Sequence, residues 1–182
     1  MSEEVVLARV NVSLTAAAEH APSFETLFQE QYEAVYGSLC LITRNRHEAE
    51  EIAQDAFLRM WERWDQVGAI DDPVAYVHAI AMNAFRRRSR RAAMAVRRTL
   101  HMTALDDDIA MVEEQELVVR LLAPLSPRQR AAIVLTDLLD YSSEEAARML
   151  GLRPGAVRSL ASRGRAVLRH HRKAGSDEPD EG

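Results

Sequence analysis

Cysteine occurs once in the 182 residues, at Cys40, so no disulfide can form within the chain and no cysteine-based zinc site can be built. Aromatic residues make up 5%, and glycine and proline number only 7 and 6. That scarcity argues against β-sandwiches, collagen-like repeats and wholesale disorder. No apolar run approaches the ~18 residues of a membrane span. Met1–Ser13 places acids first and has no basic stretch ahead of an apolar block, so no signal peptide is expected. The histidines show no HExxH or other ligand spacing, and no phosphate-binding glycine loop or GxSxG elbow occurs. Neither an active site nor a cofactor nor a metal is expected, and Asp106, Asp107 and Asp108 read as a solvated linker. What the chain does have is 47% apolar residues, enough for a substantial core. It reads as a soluble, cytoplasmic protein.

Lysine is nearly missing as well: the 23 basic residues are arginines apart from Lys173. The net charge is −5, but it is far from evenly spread. Residues 86–98 carry 7 arginines and no acid, and residues 151–173 carry 7 bases and no acid. Residues 1–85 hold 14 acids against 5 bases, and residues 99–118 hold 6 acids and no base. Two acid-free clusters joined by an acidic connector suggest two contact points on one polyanion.

Hydrophobic periodicity predicts an all-α chain in two bundles, over roughly 23–95 and 112–173, with no β alternation. Ser23 is a plausible N-cap for a first helix that carries Phe24, Leu27, Phe28, Tyr32, Val35, Tyr36, Leu39 and Ile42 on one stripe. Residues 43–46 break it, and a second helix is expected from about His47 to Val67, ended by Gly68 at C′. Asp72 and Pro73 read as N-cap and N1 of a third helix, which runs directly into the arginine cluster. Ser126-Pro127 starts another helix, and Cys40 is expected to be a small buried hydrophobe.

Three constellations carry chemistry. Ser143 as N-cap, Gly151 as a tight turn and Pro154 as the next helix start lay out a helix-turn-helix, with the second helix free for a major groove. The second-helix stripe Ile52, Ala56, Phe57, Met60 and Trp64 suits a core. Glu51, Gln54, Asp55, Leu58, Trp61 and Glu62 share a neighbouring face, an acidic surface with an apolar centre of the kind that docks protein. Finally, Tyr76, His78, Asn83 and Phe85 put rings and an amide beside the first arginine cluster, as binding to single-stranded DNA requires.

Taken together, these residues resemble the extracytoplasmic-function σ factors of bacterial RNA polymerase, two-domain members of the σ70 superfamily. Phe24 to Tyr36 is similar to region 2.1, and His47 to Trp61 to region 2.2. Asp72 to Val77, through Asn83 and the arginines, is similar to regions 2.3 and 2.4. Leu125 to Arg130 and Tyr141 to Arg165 are similar to region 4. The resemblance implies a tail at 1–22, region 2 at 23–95, a linker at 96–116, region 4 at 117–173 and an acidic tail at 174–182. It implies that Glu51, Gln54, Asp55, Leu58 and Trp61 dock on the β′ clamp of the polymerase core. It further implies that Tyr76, Asn83, Arg86, Arg87, Arg88, Arg90 and Arg91 hold and melt the −10 element. Ala156, Arg158, Ser159, Ser162, Arg163 and Arg165 would read the −35 element. The β flap is a second core contact, promoter DNA a partner, and an anti-σ factor a candidate partner; membrane insertion is not expected. The acidic linker would thread the RNA-exit path.

Some positions depart from the family pattern. Arg87 stands where an aspartate is usual, Tyr76 where tryptophan is common, and Arg153, Leu160 and Gly164 replace commoner residues of the recognition helix. The promoter sequence therefore does not carry over. The rival readings are a free-standing helix-turn-helix regulator, a scaffold or anti-σ-binding protein on this fold, and a nucleic-acid enzyme that lacks any catalytic cluster.

Overall fold

The computed structural model describes residues 23–98 and 113–176, and every regular element among them is helical. The linker acids Asp106 to Asp108 and both chain ends lie outside the described residues. The N-terminal bundle comprises α1 (Phe24–Thr43), α2 (Arg46–Trp61), the single turn α3 (Trp64–Val67) and α4 (Pro73–Arg98). The C-terminal bundle comprises α5 (Glu113–Leu122), α6 (Pro127–Ile133), a π-turn (Val134–Leu138), α7 (Ser143–Leu150) and α8 (Pro154–Ser176). No described helix is long and apolar enough to cross a membrane.

Local chemistry sets most of the boundaries. The Ser23 hydroxyl accepts from the Thr26 amide, Asn45 caps α2 through the Glu48 amide at 2.8 Å, and Asp72 caps α4 through the Ala75 amide at 2.7 Å. Arg44 adopts the left-handed conformation at φ 57° that ends α1. Ser126 and Gln129 form a reciprocal capping box at the start of α6.

Three boundaries differ from the sequence expectation. The expected 47–67 helix is interrupted after Trp61, and α3 resumes it at Trp64. Gly68 is right-handed at φ −63°, so no left-handed cap explains it; a Cβ there would stand 2.7 Å from the Trp64 ring, and glycine is what lets the indole lie flat. The N-cap of α7 is Ser142 rather than Ser143, because Ser142 pairs with Glu145 at N3 in a second capping box.

The apolar stripes pack much as their periodicity predicts. Leu27, Val35, Leu39 and Ile42 of α1 meet Ile52, Ala56, Phe57 and Met60 of α2, all buried. Val77, Ala81, Ala84 and Phe85 of α4 close the N-terminal core, and Cys40 lies inside it. Ala131, Ile133, Val134, Leu135, Ala146, Leu150, Val157 and Ala161 build the C-terminal core. The two cores are not separate. They form one continuous apolar cluster across a seam where α4 packs on α7 and α1 on α6.

Polar groups cross that seam too. His78 Nδ1 lies 3.0 Å from Tyr141 Oη and 3.2 Å from the Val74 carbonyl. Burial pushes the Tyr141 phenol up to about 12 and holds the His78 imidazole below its ordinary 6.5. Nε2 of His78 is buried with no partner, so a second ring proton would be an unsatisfied donor there. His78 and Phe85, expected beside DNA, are instead interior groups, because the C-terminal bundle covers their side of α4.

Two predictions follow from these contacts. Ser142→Ala lowers stability by about 1 kcal/mol while Ser143→Ala changes it by less than about 0.5 kcal/mol, measured by urea denaturation. Above pH 6.5 the native and unfolded chains both carry a neutral His78; below it the unfolded chain takes up a proton that the native site refuses. Stability therefore falls as pH drops through 6.5 and stops falling below the depressed native value. Thermal melts between about pH 7.5 and about pH 5.5 should show this loss, and His78→Gln should shrink it.

Candidate functional site

The buried stripe of α2 dictates what its other side presents. With Ile52, Ala53, Ala56, Phe57 and Met60 inward, Glu51, Gln54, Leu58 and Trp61 point to solvent and Asp55 is half-buried. Leu58 and Trp61 are 53% and 57% exposed, which is unusual for large apolar side chains with a core close by. Trp61 stands beside a groove of about 500 Å³ lined by Phe24, Phe28, Tyr32, Gln54, Phe57 and Leu58. The acids around this apolar centre are partly engaged. Asp55 pairs with Arg59 at 3.0 Å, and Glu51 meets His47 at 3.4 Å and accepts from Arg88. The Arg88 guanidinium holds the Glu51 carboxyl below the usual carboxylate range.

Helical periodicity divides the arginine cluster of α4 between two sides. Tyr76, Ile80, Asn83 and Arg87 follow one line and share a groove of about 430 Å³ with Asp55, Leu58 and Arg59. Arg87, Arg88 and Arg91 share a second groove, of about 520 Å³, with Glu51, Gln54 and Leu58. Glu51, Gln54, Asp55 and Leu58 of the expected docking set and most of the expected −10 residues therefore wall the same two grooves, while Trp61 lines the groove beside α1. Arg86 and Arg90 turn the other way, to a cleft between the bundles that Arg128 also lines. Burial, and then Arg90 and Arg128, lower the pKa of Arg86 from the usual arginine value. Asn83 joins the two sides, since its Oδ1 accepts from Arg86 Nη1 at 3.0 Å while its carbonyl accepts from Arg87 Nε at 3.4 Å.

The second basic cluster lies on α8. Val157 and Ala161 are buried, which turns Ala156, Arg158, Ser159, Ser162, Arg163 and Arg165 outward together. Helix α7 ends at Gly151 in the left-handed conformation, φ 57°, and the Leu152 amide donates to the Ala147 carbonyl at 2.9 Å. This turn aims α8 away from α7 as a helix-turn-helix requires. Two of the expected −35 arginines are held by acids: Arg158 by Glu144 at 3.2 Å and Arg165 by both carboxylate oxygens of Asp137, at 2.9 and 3.0 Å. Both pairs are exposed enough for a phosphate to replace the carboxylate.

Four residues stood outside the sequence expectation. Leu121 and Leu138 are 53% and 50% exposed although both lie in apolar patterns, and Arg128 and Arg130 converge on the seam. Leu138 is turned out by the π-turn, whose extra residue no spacing rule revealed. Among the described residues no group of His, Cys, Asp and Glu could hold a metal ion.

Comparison with known proteins agrees with this layout. Residues 27–94 match the model for "Sigma-70 region 2" and residues 115–168 that for "Sigma-70, region 4". The chain is 33% identical over 174 residues to the ECF RNA polymerase sigma factor SigM of Mycobacterium tuberculosis (strain Erdman), covering 88% of this chain and 83% of that protein. In three dimensions it is similar to RpoE of Bartonella quintana, solved in complex with the anti-sigma factor NepR. There the TM-score is 0.65 at 23% identity, over 82% of this chain and 96% of the other. It is also similar to CnrH, solved with the cytosolic domain of CnrY, with a TM-score of 0.57 at 26% identity over 88% and 94% of the two chains. The chain belongs to the extracytoplasmic-function σ factors, the σ70-family proteins that direct RNA polymerase in promoter recognition.

Proposed function

We propose a division of labour among three surfaces. The α2 face of Glu51, Gln54, Asp55, Leu58 and Trp61 docks on the β′ clamp of the polymerase core. The observation that carries this reading is the exposure of Leu58 and Trp61 within an acidic rim. An apolar centre with charged surroundings is the usual anatomy of a protein interface.

Tyr76, Asn83, Arg87, Arg88 and Arg91 take the non-template strand of the −10 element in the grooves beside that face. A ring and an amide for an unstacked base, next to guanidinium groups for phosphate, is the combination single-stranded DNA needs. Arg86 and Arg90 join them when their side of α4 is accessible. On α8, Ala156, Arg158, Ser159, Ser162, Arg163 and Arg165 enter the −35 major groove. The exposed Leu121 and Leu138 offer the C-terminal bundle an apolar contact with the β flap. An anti-σ factor, the kind of partner solved with RpoE, is a further partner, and the place of action is the cytoplasm, as polymerase docking requires.

Purified chain with core polymerase should give specific run-off transcripts. Footprints on DNA from the chain alone, with core activity unchanged, would reject the reading. The full-length Asp55→Lys, Leu58→Ala variant should bind core at least about thirtyfold more weakly. Its stability should stay within about 1 kcal/mol of the parent and its affinity for −35 duplex unchanged, since Leu58 faces solvent and the half-buried Asp55 gives up only a surface pair with Arg59. Asn83→Ala should leave core binding intact and reduce permanganate-reactive melted promoter; equal melting would remove Asn83 from the strand-binding set.

A further inference from the structure

On the faces described above, arginines are balanced by acids. Arg88 meets Glu51, Arg59 meets Asp55, Arg158 meets Glu144 and Arg165 meets Asp137. The cleft of about 450 Å³ on the other side of α4 is built differently. Arg86 and Arg90, one turn apart on α4, share it with Arg128 of α6, and no carboxylate lines it. Arg86 is set in place by neutral neighbours. Its Nη1 donates to Asn83 Oδ1 at 3.0 Å, and its guanidinium lies across Gly151 at the end of α7, where any Cβ would collide with it. Burial, Arg90 and Arg128 lower its pKa, as befits a cation that lacks a counter-charge.

The rest of the lining asks for more than a bare anion. Phe85 of α4 and Leu150 of α7 are buried, and Leu152 of the following turn and Leu160 of α8 are half-buried. Water over such side chains gains no hydrogen bond from them, so hydrocarbon replaces it favourably. A DNA phosphate would serve the arginines and leave the leucines wet. The volume is that of a small-molecule site, about 300–1,000 Å³.

We propose that this cleft binds a small amphipathic anion, an aliphatic chain ending in a carboxylate or a phosphate. The head lies among Arg86, Arg90 and Arg128, whose planar guanidinium groups suit forked, charge-assisted hydrogen bonds. The chain lies on Phe85, Leu150, Leu152 and Leu160. An occupied cleft also engages Arg86 and Arg90, and so withholds them from a −10 strand. That consequence rests on the promoter function proposed above, whereas the site itself rests on the cleft.

The test is isothermal calorimetry on the full chain with decyl phosphate and decanoate, each below its micelle concentration. Both should bind one per chain, and decanol and inorganic phosphate should bind at least about tenfold more weakly than decyl phosphate. Arg128→Gln should weaken decyl phosphate about fivefold, and Arg90→Gln with Arg128→Gln at least about thirtyfold. Both side chains are exposed, so their loss leaves the fold intact. Ser89→Phe fills the cleft and should abolish binding with all three arginines in place. Arg172→Gln, which removes an exposed charge near the far end of α8, should change nothing. The site is overturned by any of four results: no saturable binding, inorganic phosphate as tight as decyl phosphate, cleft variants that bind like the parent, or association with phosphatidylglycerol vesicles but with neither free probe. Run-off transcription with core is scored alongside, and decyl phosphate should reduce transcripts from the parent more than from Arg128→Gln. Binding without that effect would keep the site and remove Arg86 and Arg90 from the −10 set.

Discussion

Helix α4 has to satisfy two partners at once, and the rest of the molecule is arranged around that requirement. Its residues Val77, Ala81, Met82, Ala84 and Phe85 are buried, some against α2 and some toward the C-terminal bundle. Burying a side chain the size of Val77, Met82 or Phe85 is worth about 1.5–3 kcal/mol, more than a surface ion pair supplies. The arginines that follow have no freedom to choose sides, since 3.6 residues per turn continue the division made by the apolar residues before them. Arg87 and Arg91 follow Asn83 onto the groove beside α2, and Arg86 and Arg90 follow the interior residues onto the seam.

Electrostatics then separates functions that composition merges. Acids on α2 and arginines on α4 face each other across shared grooves, and Glu51 with Arg88 is the contact that joins them. This neutralises part of each surface without burying it, so both stay available to larger partners. On α8 the same arrangement recurs, with Glu144 and Asp137 holding Arg158 and Arg165 in place. Carboxylates that hold these arginines in the free chain compete with any phosphate that would bind there.

Much of the fold could be read from residue spacing. The stripes of α1, α2 and α6 marked their cores, and Ser23, Asp72 and Ser126 marked helix starts, because a cap needs only a side-chain oxygen three residues ahead of a free amide. Ser142 and Ser143 satisfy the same spacing rule equally, and the capping box with Glu145 selects Ser142. The exposed Leu58 and Trp61 could be picked out, since an apolar residue on a charged face breaks the helical pattern. For His78 and Phe85 the sequence pattern is ambiguous, because a ring near arginines looks alike whether it is covered or not. Only the second bundle, lying against that side of α4, makes them interior.

Sequence alone, then, determined most of the elements, the caps at Ser23, Asp72 and Ser126, and the two basic segments, because these depend on contacts within a few residues along the chain. The resemblance of its motifs to the σ factors held for the same reason, as motifs are local. Tertiary structure decided which arginine faces which partner, that Arg130 caps a helix 88 residues away, and that the two cores are continuous. Those outcomes depend on which surfaces meet, and spacing along one helix carries no information about what will cover it.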